Sequence, residues 1–219
     1  MPIPTPWIGR RDALICLSAL AGAQLLPSVP ARAQTKLSPT PKATEGPYYP
    51  KDWRGDIDND LVTVQGEAAK ALGQIVHIEG RVLDISGRPL AGAAVEIWQC
   101  DANGIYRHPA DESGRRRRDG GFQGRGRTSA DSNGHYRFRT IRPVAYATRT
   151  PHIHFKVTLP ASRALITQMY VFGEPLNERD FVLNAIRDPR QRDSVIVRLQ
   201  PADRFEAGAL AGSFDIVVG

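Results

Sequence analysis

Two histidines one residue apart, His152 and His154, lie in the run YATRTPHIHFKV over residues 146–157, with Tyr146 six residues ahead of the first. Imidazole is the commonest protein ligand for transition metals, so the spacing decides whether two rings can share one ion. The stretch HIHFKVTL is rich in β-branched and apolar residues and reads as a strand. On a strand, residues i and i+2 share a face. His152 and His154 then project side by side, with Ile153, Phe155 and Val157 on the opposite face. That is a chelating arrangement if other groups complete it. Taken alone, the pair reads equally well as two half-exposed histidines on a sheet surface.

Two tyrosines have the surroundings to complete it. Tyr106 sits in NGIYRHP and Tyr146 in RPVAYATR, both in loops that flank strands rather than in core-facing alternation. A lone loop tyrosine is most often an amphipathic surface residue. Two of them beside an HxH pair would form an N₂O₂ donor set. Phenolate is a hard anionic oxygen donor and imidazole suits iron among other metals, so such a set would neutralise two charges of a ferric ion.

The elements that must position these groups follow from the rest of the chain. Its 219 residues are 41% hydrophobic and 24% charged, enough for one substantial core, and 20 glycines with 17 prolines favour a turn-rich β fold. Residues 1–33 stand apart. Arg10 and Arg11 precede an apolar run, ALICLSALAGAQLL, too short to span a bilayer, and a small-residue Ala31-Arg32-Ala33 site follows. This predicts an export signal peptide, the arginine pair favouring the twin-arginine type, and hence a periplasmic or secreted protein with no stable membrane anchor. Ala13, two residues after the pair, leaves an ordinary secretory route open. Cys16 leaves with that peptide, and Cys100 alone in the mature chain permits neither an internal disulfide nor a cysteine-based zinc site.

Residues 34–43 read as a flexible leader, and residues 44–219 as one domain. Strands are expected at 74–84, 93–101, 135–141, 151–159, 164–172, 194–200 and 213–219, the first two as a hairpin-type pair about Ser86-Gly87-Arg88-Pro89. Residues 102–130 read as one long functional loop. One short helix is expected near 178–187, with Asn177 as its N-cap and Glu178 and Asp180 in its first turn. The fold class is therefore all-β, a single β-sandwich with long active-site loops and one short helix. Loss of residues 1–33, with three arginines and one aspartate, would lower the net charge from +6 to +4, and the four successive arginines at Arg115–Arg118 account for that surplus. Without a broad basic face interleaved with aromatics, this is not a nucleic-acid binder. The arginine run reads as a solvated loop, or secondarily as an attractor of carboxylate-bearing substrates.

The motifs GRPLAGAAVEIWQCDANGIYRH, FQGRGRTSADSNGHYRFRTIRP, Tyr146 and Arg149 before PHIHF, and LITQMY occur in that order. In this the chain resembles the intradiol ring-cleavage dioxygenases, with the protocatechuate-type β chains its nearest members, over roughly residues 44–172. The resemblance implies a prealbumin-like sandwich and one non-haem ferric ion per chain, held by Tyr106, Tyr146, His152 and His154. It implies a catechol and O₂ as substrates and a cis,cis-muconate as product. It gives Arg149 the role of stabilising charge that develops on the substrate, gives Tyr146 a proton to accept, and places Gln168 in the pocket lining. TEGPYYP resembles a pocket-lining segment of the family, so Thr44, Gly46, Pro47 and Tyr48 would contact substrate, either within one chain or across a homo-oligomer. The arginine-rich segment 107–118 departs from the family, so the ring substituent is not implied.

Two other readings compete. Cupin metalloenzymes also use HxH but add a glutamate a few residues on, where this chain has Phe-Lys-Val-Thr-Leu. An extracellular, non-catalytic transthyretin-like binding module shares the Gly87–Ala93 turn, but it has no use for the tyrosine–histidine quartet.

Overall fold

Alternation of apolar and polar residues sets the strands, and the computed structural model of the chain describes them over residues 36–112, 118–160 and 164–219. The expected signal peptide at residues 1–33 and Arg115, Arg116 and Arg117 lie outside the described residues. Ten strands run in chain order among those described: β1 (Ile75–Asp84), β2 (Ala94–Trp98), β3 (Arg125–Ser129), β4 (His135–Ile141), β5 (His152–Thr158), β6 (Leu165–Val171), β7 (Ile196–Val197), β8 (Gln200–Pro201), β9 (Leu210–Ser213) and β10 (Ile216–Val218).

They form two sheets. In the first, β1 pairs antiparallel with β4 on one edge and parallel with β9 and then β10 on the other, and β8 closes against β9. The second runs β3-β2-β5-β6-β7. Val76, Ile78 and Phe138 from the first sheet and Val95, Ile97, Ile153, Phe155 and Val157 from the second join one buried cluster. Phe155 meets Tyr136 at 6.1 Å and Phe214 at 5.0 Å between ring centres, tying the layers together. Each such side chain taken from water contributes roughly 1.5–3 kcal/mol. The expected all-β sandwich is therefore what the chain forms. No helix among the described residues is long and apolar enough to cross a membrane.

Four expectations need correction. β1 and β2 are not a hairpin pair but lie in different sheets. The turn does start one, with Leu90 N donating to Val82 O at 2.8 Å, but the chain then turns at Gly92 and crosses to the second layer. Residues 125–129, read as loop, are the edge strand β3. Its arginines give no apolar face, and its Gly126 passes so close to Asp58 that a Cβ would lie 2.3 Å from that carbonyl. The one helix is two: α1 (Phe181–Asn184), capped by Asp180, and α2 (Pro189–Ser194), capped by Asp188. Asn177 lies in a 3₁₀ turn, Pro175–Glu178, because the Asp180 carboxylate takes the Val182 and Leu183 amides and starts the helix there. Finally, the leader is pinned where it is described. Leu37, Thr40 and Ala43 donate backbone hydrogen bonds to Ile85, Val217 and Ile166 at 2.8–2.9 Å.

Candidate metal centre

The period of β5 divides its side chains as the sequence requires, with Ile153, Phe155 and Val157 in the core and His152 and His154 on the outer face of the second sheet. Register then builds cross-strand rows there. Trp98 of β2, His154 of β5 and Gln168 of β6 are direct partners, and His152 lies opposite Tyr170. The arm at residues 40–50 and the loops after β2, β4 and β6 fold over this face, so both histidines are buried.

The two Nε2 atoms are 3.2 Å apart. His152 Nδ1 lies 2.6 Å from the Thr150 carbonyl, which can only accept, so Nδ1 carries the proton and Nε2 presents its lone pair. His154 is fixed by packing. Trp98 stacks on it at 4.7 Å and 10°, and Gly46 covers it closely enough that a Cβ would sit 3.3 Å from Cε1. Gly46 also has φ +74°, a conformation that suits glycine. Burial pushes the His152 imidazole down to about 4 and His154 well below its ordinary value, so both are neutral near pH 7.

The tyrosines arrive on turns. After β2, the Asp101 carboxylate accepts from Asn103 N and Ile105 N at 2.9 and 3.0 Å, and the Asp111 carboxylate accepts from Tyr106 N at 2.7 Å. Tyr106 is thus driven into the site, 2% exposed, its hydroxyl without a hydrogen-bond partner among the described residues. Burial pushes that hydroxyl well above the ordinary phenol range. Tyr146 opens a turn closed by Arg149 N donating to its carbonyl at 2.9 Å. Inside that turn Ala147 takes φ +48°, uniquely for a non-glycine among the described residues, a strain of order 1 kcal/mol. The Tyr106 ring lies 5.1 Å from Tyr146 and 6.2 Å from His154, and Tyr146 lies 6.2 Å from His152. The four groups converge on one spot.

Arg149 is 7% exposed. Its Nε donates to Asp180 Oδ2 at 2.7 Å and its Nη2 to Gln168 Oε1 at 2.6 Å. Gln168 also donates to the Thr44 carbonyl at 3.1 Å and accepts from the Tyr170 hydroxyl at 3.0 Å. The arm contributes within the same chain. Tyr48 meets Tyr106 at 4.9 Å and Tyr146 at 5.8 Å, Gly46 covers His154, and Thr44 reaches Gln168, while Pro47 is exposed.

Sequence reasoning missed Asp180 and Trp98 as parts of this site. Trp98 was legible as the same-face neighbour of Glu96 in the alternating VEIW. Asp180 was legible as an acid directly before FVLN, a helix-cap signal. No cluster of three or more His, Cys, Asp or Glu suited to a metal occurs among the described residues. The rings of Tyr106 and Tyr146 bring phenol oxygens beside the two histidines as companion donors.

The family model described as "Dioxygenase" matches residues 44–219. The protocatechuate 3,4-dioxygenase beta chain of Burkholderia cepacia is 35% identical over 198 residues, covering 86% of this chain and 83% of that one. A hydroxyquinol 1,2-dioxygenase of Corynebacterium glutamicum is 30% identical, covering 76% of this chain, which spans 57% of that relative's length. Among solved structures, the dioxygenase domain of a carbohydrate-binding fusion protein from Streptomyces sp. SirexAA-E superposes with a TM-score of 0.64 at 30% identity, covering 83% of this chain and 98% of that domain.

Proposed function

Because the chain belongs to the intradiol ring-cleavage dioxygenases, we propose that it cleaves a catechol with O₂ between the two hydroxylated carbons, giving a cis,cis-muconate, at a non-haem ferric ion held by Tyr106, Tyr146, His152 and His154. Family membership also sets aside the non-catalytic module. The observation that carries the metal assignment is the convergence of two neutral imidazole nitrogens, 3.2 Å apart, on a buried tyrosine hydroxyl that has no hydrogen-bond partner among the described residues. An orphaned buried hydroxyl is costly unless something completes it, and two phenolates with two imidazoles suit a hard, trivalent cation.

When bound, a ferric ion would supply Lewis acidity that draws in both catechol oxygens as a dianion. The chain's own residues have separate tasks. Tyr146 is the less buried of the two tyrosines and stands at the rim, placed to accept a proton from an arriving catechol. Tyr106, sealed by Trp98, Cys100 and Tyr48, is the fixed one. Arg149 offers a cation whose aim is set by Asp180 and Gln168 before substrate arrives, as electrostatic stabilisation requires. Gly46 and Trp98 hold the plane of His154 and keep water from it.

The test is the visible spectrum of the iron-loaded protein, before and after a catechol is added without O₂. A reddish tyrosinate band that moves to longer wavelength supports the reading, and an iron-replete protein that stays colourless overturns it. Export to the periplasm or medium belongs to the same proposal. N-terminal sequencing of the mature protein should begin at Gln34, and an intact Met1 terminus would remove that part.

A further inference from the structure

His152, His154, Tyr106 and Arg149 are all buried, so the segments that cover them decide how a ring-sized molecule arrives. Those segments are not held alike. The Tyr146 turn is closed by its own backbone hydrogen bond, and α1 is capped by Asp180. Residues 44–49 make no backbone hydrogen bond with either sheet among the described residues. Their two ends are fixed, because Ala43 N donates to Ile166 O at 2.8 Å and Pro50 is buried.

Between those ends, side chains do the holding. Gln168 Nε2 donates to the Thr44 carbonyl at 3.1 Å. The Tyr49 hydroxyl donates to Glu96 Oε2 at 2.9 Å and accepts from Lys156 Nζ at 3.0 Å, and Lys156 also donates to Glu45 at 3.4 Å. Glu96 and Lys156 are direct partners across β2 and β5, in the same-face row beside Trp98 and His154. Both reach up from the sheet to Tyr49. Beneath this segment lies the centre itself. Gly46 covers His154, Tyr48 stands 4.9 Å from Tyr106, and Tyr49 meets Trp98 edge-on at 5.0 Å. Tyr48 and Tyr49 also pack on the buried cluster of Trp98, Cys100 and Tyr106. A segment anchored at both ends and fastened between them by a few side-chain bonds opens locally at far less cost than the sheets do.

Resting on the ring-cleavage reading, we infer that residues 44–49 are a lid over the metal centre, latched by Tyr49 on Glu96 and Lys156, and that a catechol enters when the latch releases. Glu96 and Lys156 are then positioning residues that act through Tyr49. The lid also reports on itself. The Gln168 amide that holds Thr44 accepts from Arg149 Nη2 at 2.6 Å, so the arginine is aimed while the lid is shut.

Tyr49→Phe tests this, because it keeps the ring on Trp98 and removes only the hydroxyl. Opening is read on the iron-loaded protein as iodoacetamide labelling of Cys100, which is buried, and peptide mass spectrometry separates it from Cys16. That readout needs no turnover. The lost hydroxyl bonds two charged groups, so labelling should quicken about tenfold. It should depend little on low urea, as local opening does and global unfolding does not. Where entry waits on opening, kcat/KM rises with the open fraction. It should therefore climb by a similar factor for whichever of catechol, protocatechuate and hydroxyquinol is turned over, while kcat does not rise. Glu96→Gln should move both readouts the same way. Unchanged labelling, or labelling that climbs steeply with urea, would overturn the latch. Faster labelling with kcat/KM level or lower would overturn the lid as the way in. If none of the three substrates were cleaved, the ring-cleavage reading would fall, and the labelling rates alone would uphold or overturn the latch.

Discussion

Arg149 and Asp180 meet at 2.7 Å with side chains only 8% and 0% exposed, which makes them the most deeply buried ion pair among the described residues. The same carboxylate receives the Thr150, Val182 and Leu183 amides, so one acid fixes the arginine, caps a helix and holds the residue that anchors His152. Removing one partner of a buried pair strands the other. Asp180→Ala should cost about 3–5 kcal/mol, read as a lower denaturant midpoint, and kcat should fall with it. An unchanged midpoint would mean that the pair is not holding the loop.

The same residue sets an acid limit. Burial disfavours the Asp180 carboxylate, but the Arg149 hydrogen bond and the Leu183 and Thr150 amides outweigh it and hold the group below its ordinary value. A carboxylate depressed in the folded state stabilises fully above its unfolded pKa of about 3.9, and that contribution is lost as pH falls through the folded value. Stability should therefore decline below about pH 4, and less steeply in Asp180→Asn. Equal slopes in the two proteins would assign the acid limb to other groups.

Gly46 is confined twice, by its φ of +74° and by the His154 ring at 3.3 Å from where a Cβ would be. Gly46→Ala should lower stability by about 1–2 kcal/mol from the backbone alone. It should also tilt His154, so that the iron-loaded protein's visible band moves. A destabilised protein with an unaltered band would separate the arm from the centre.

Trp98→Ala should empty a fully buried site and cost about 3–5 kcal/mol, while Trp98→Phe keeps the stack on His154 and removes an indole N–H that has no partner among the described residues. The phenylalanine variant should retain most ring-cleavage activity. Equal loss in both would show that the indole nitrogen itself matters.

Tyr146→Phe should abolish ring cleavage and leave thermal unfolding nearly unchanged, because Tyr146 is only half-buried and its hydroxyl makes no hydrogen bond among the described residues. Comparing turnover with melting temperature in one preparation checks both halves.

Much of this was legible in advance, for identifiable reasons. The two-residue period of HIHFKV puts both histidines on one face, because burial of Ile153, Phe155 and Val157 leaves no other register. Sheet order was not legible. Ser86-Gly87-Arg88-Pro89 begins a hairpin locally, and only the packing of two layers decides that β2 leaves for the other sheet. Edge strand β3 escaped because RGRTS carries no apolar alternation. Asp180 escaped because it looked like an acid within a helix when it is the cap at the helix's start, and its second task, gripping Arg149 from 31 residues away, exists only in three dimensions.

The alternation along β5 also sets how the molecule tolerates error. Substitutions at Ile153, Phe155 or Val157 strike the scaffold and those at His152 or His154 strike the chemistry, so replacements alone let the two drift independently. A single-residue insertion or deletion within the strand spares neither. It turns the imidazoles into the oily interior and the aliphatic chains out among the donors, and one frame slip would erase fold and catalysis together.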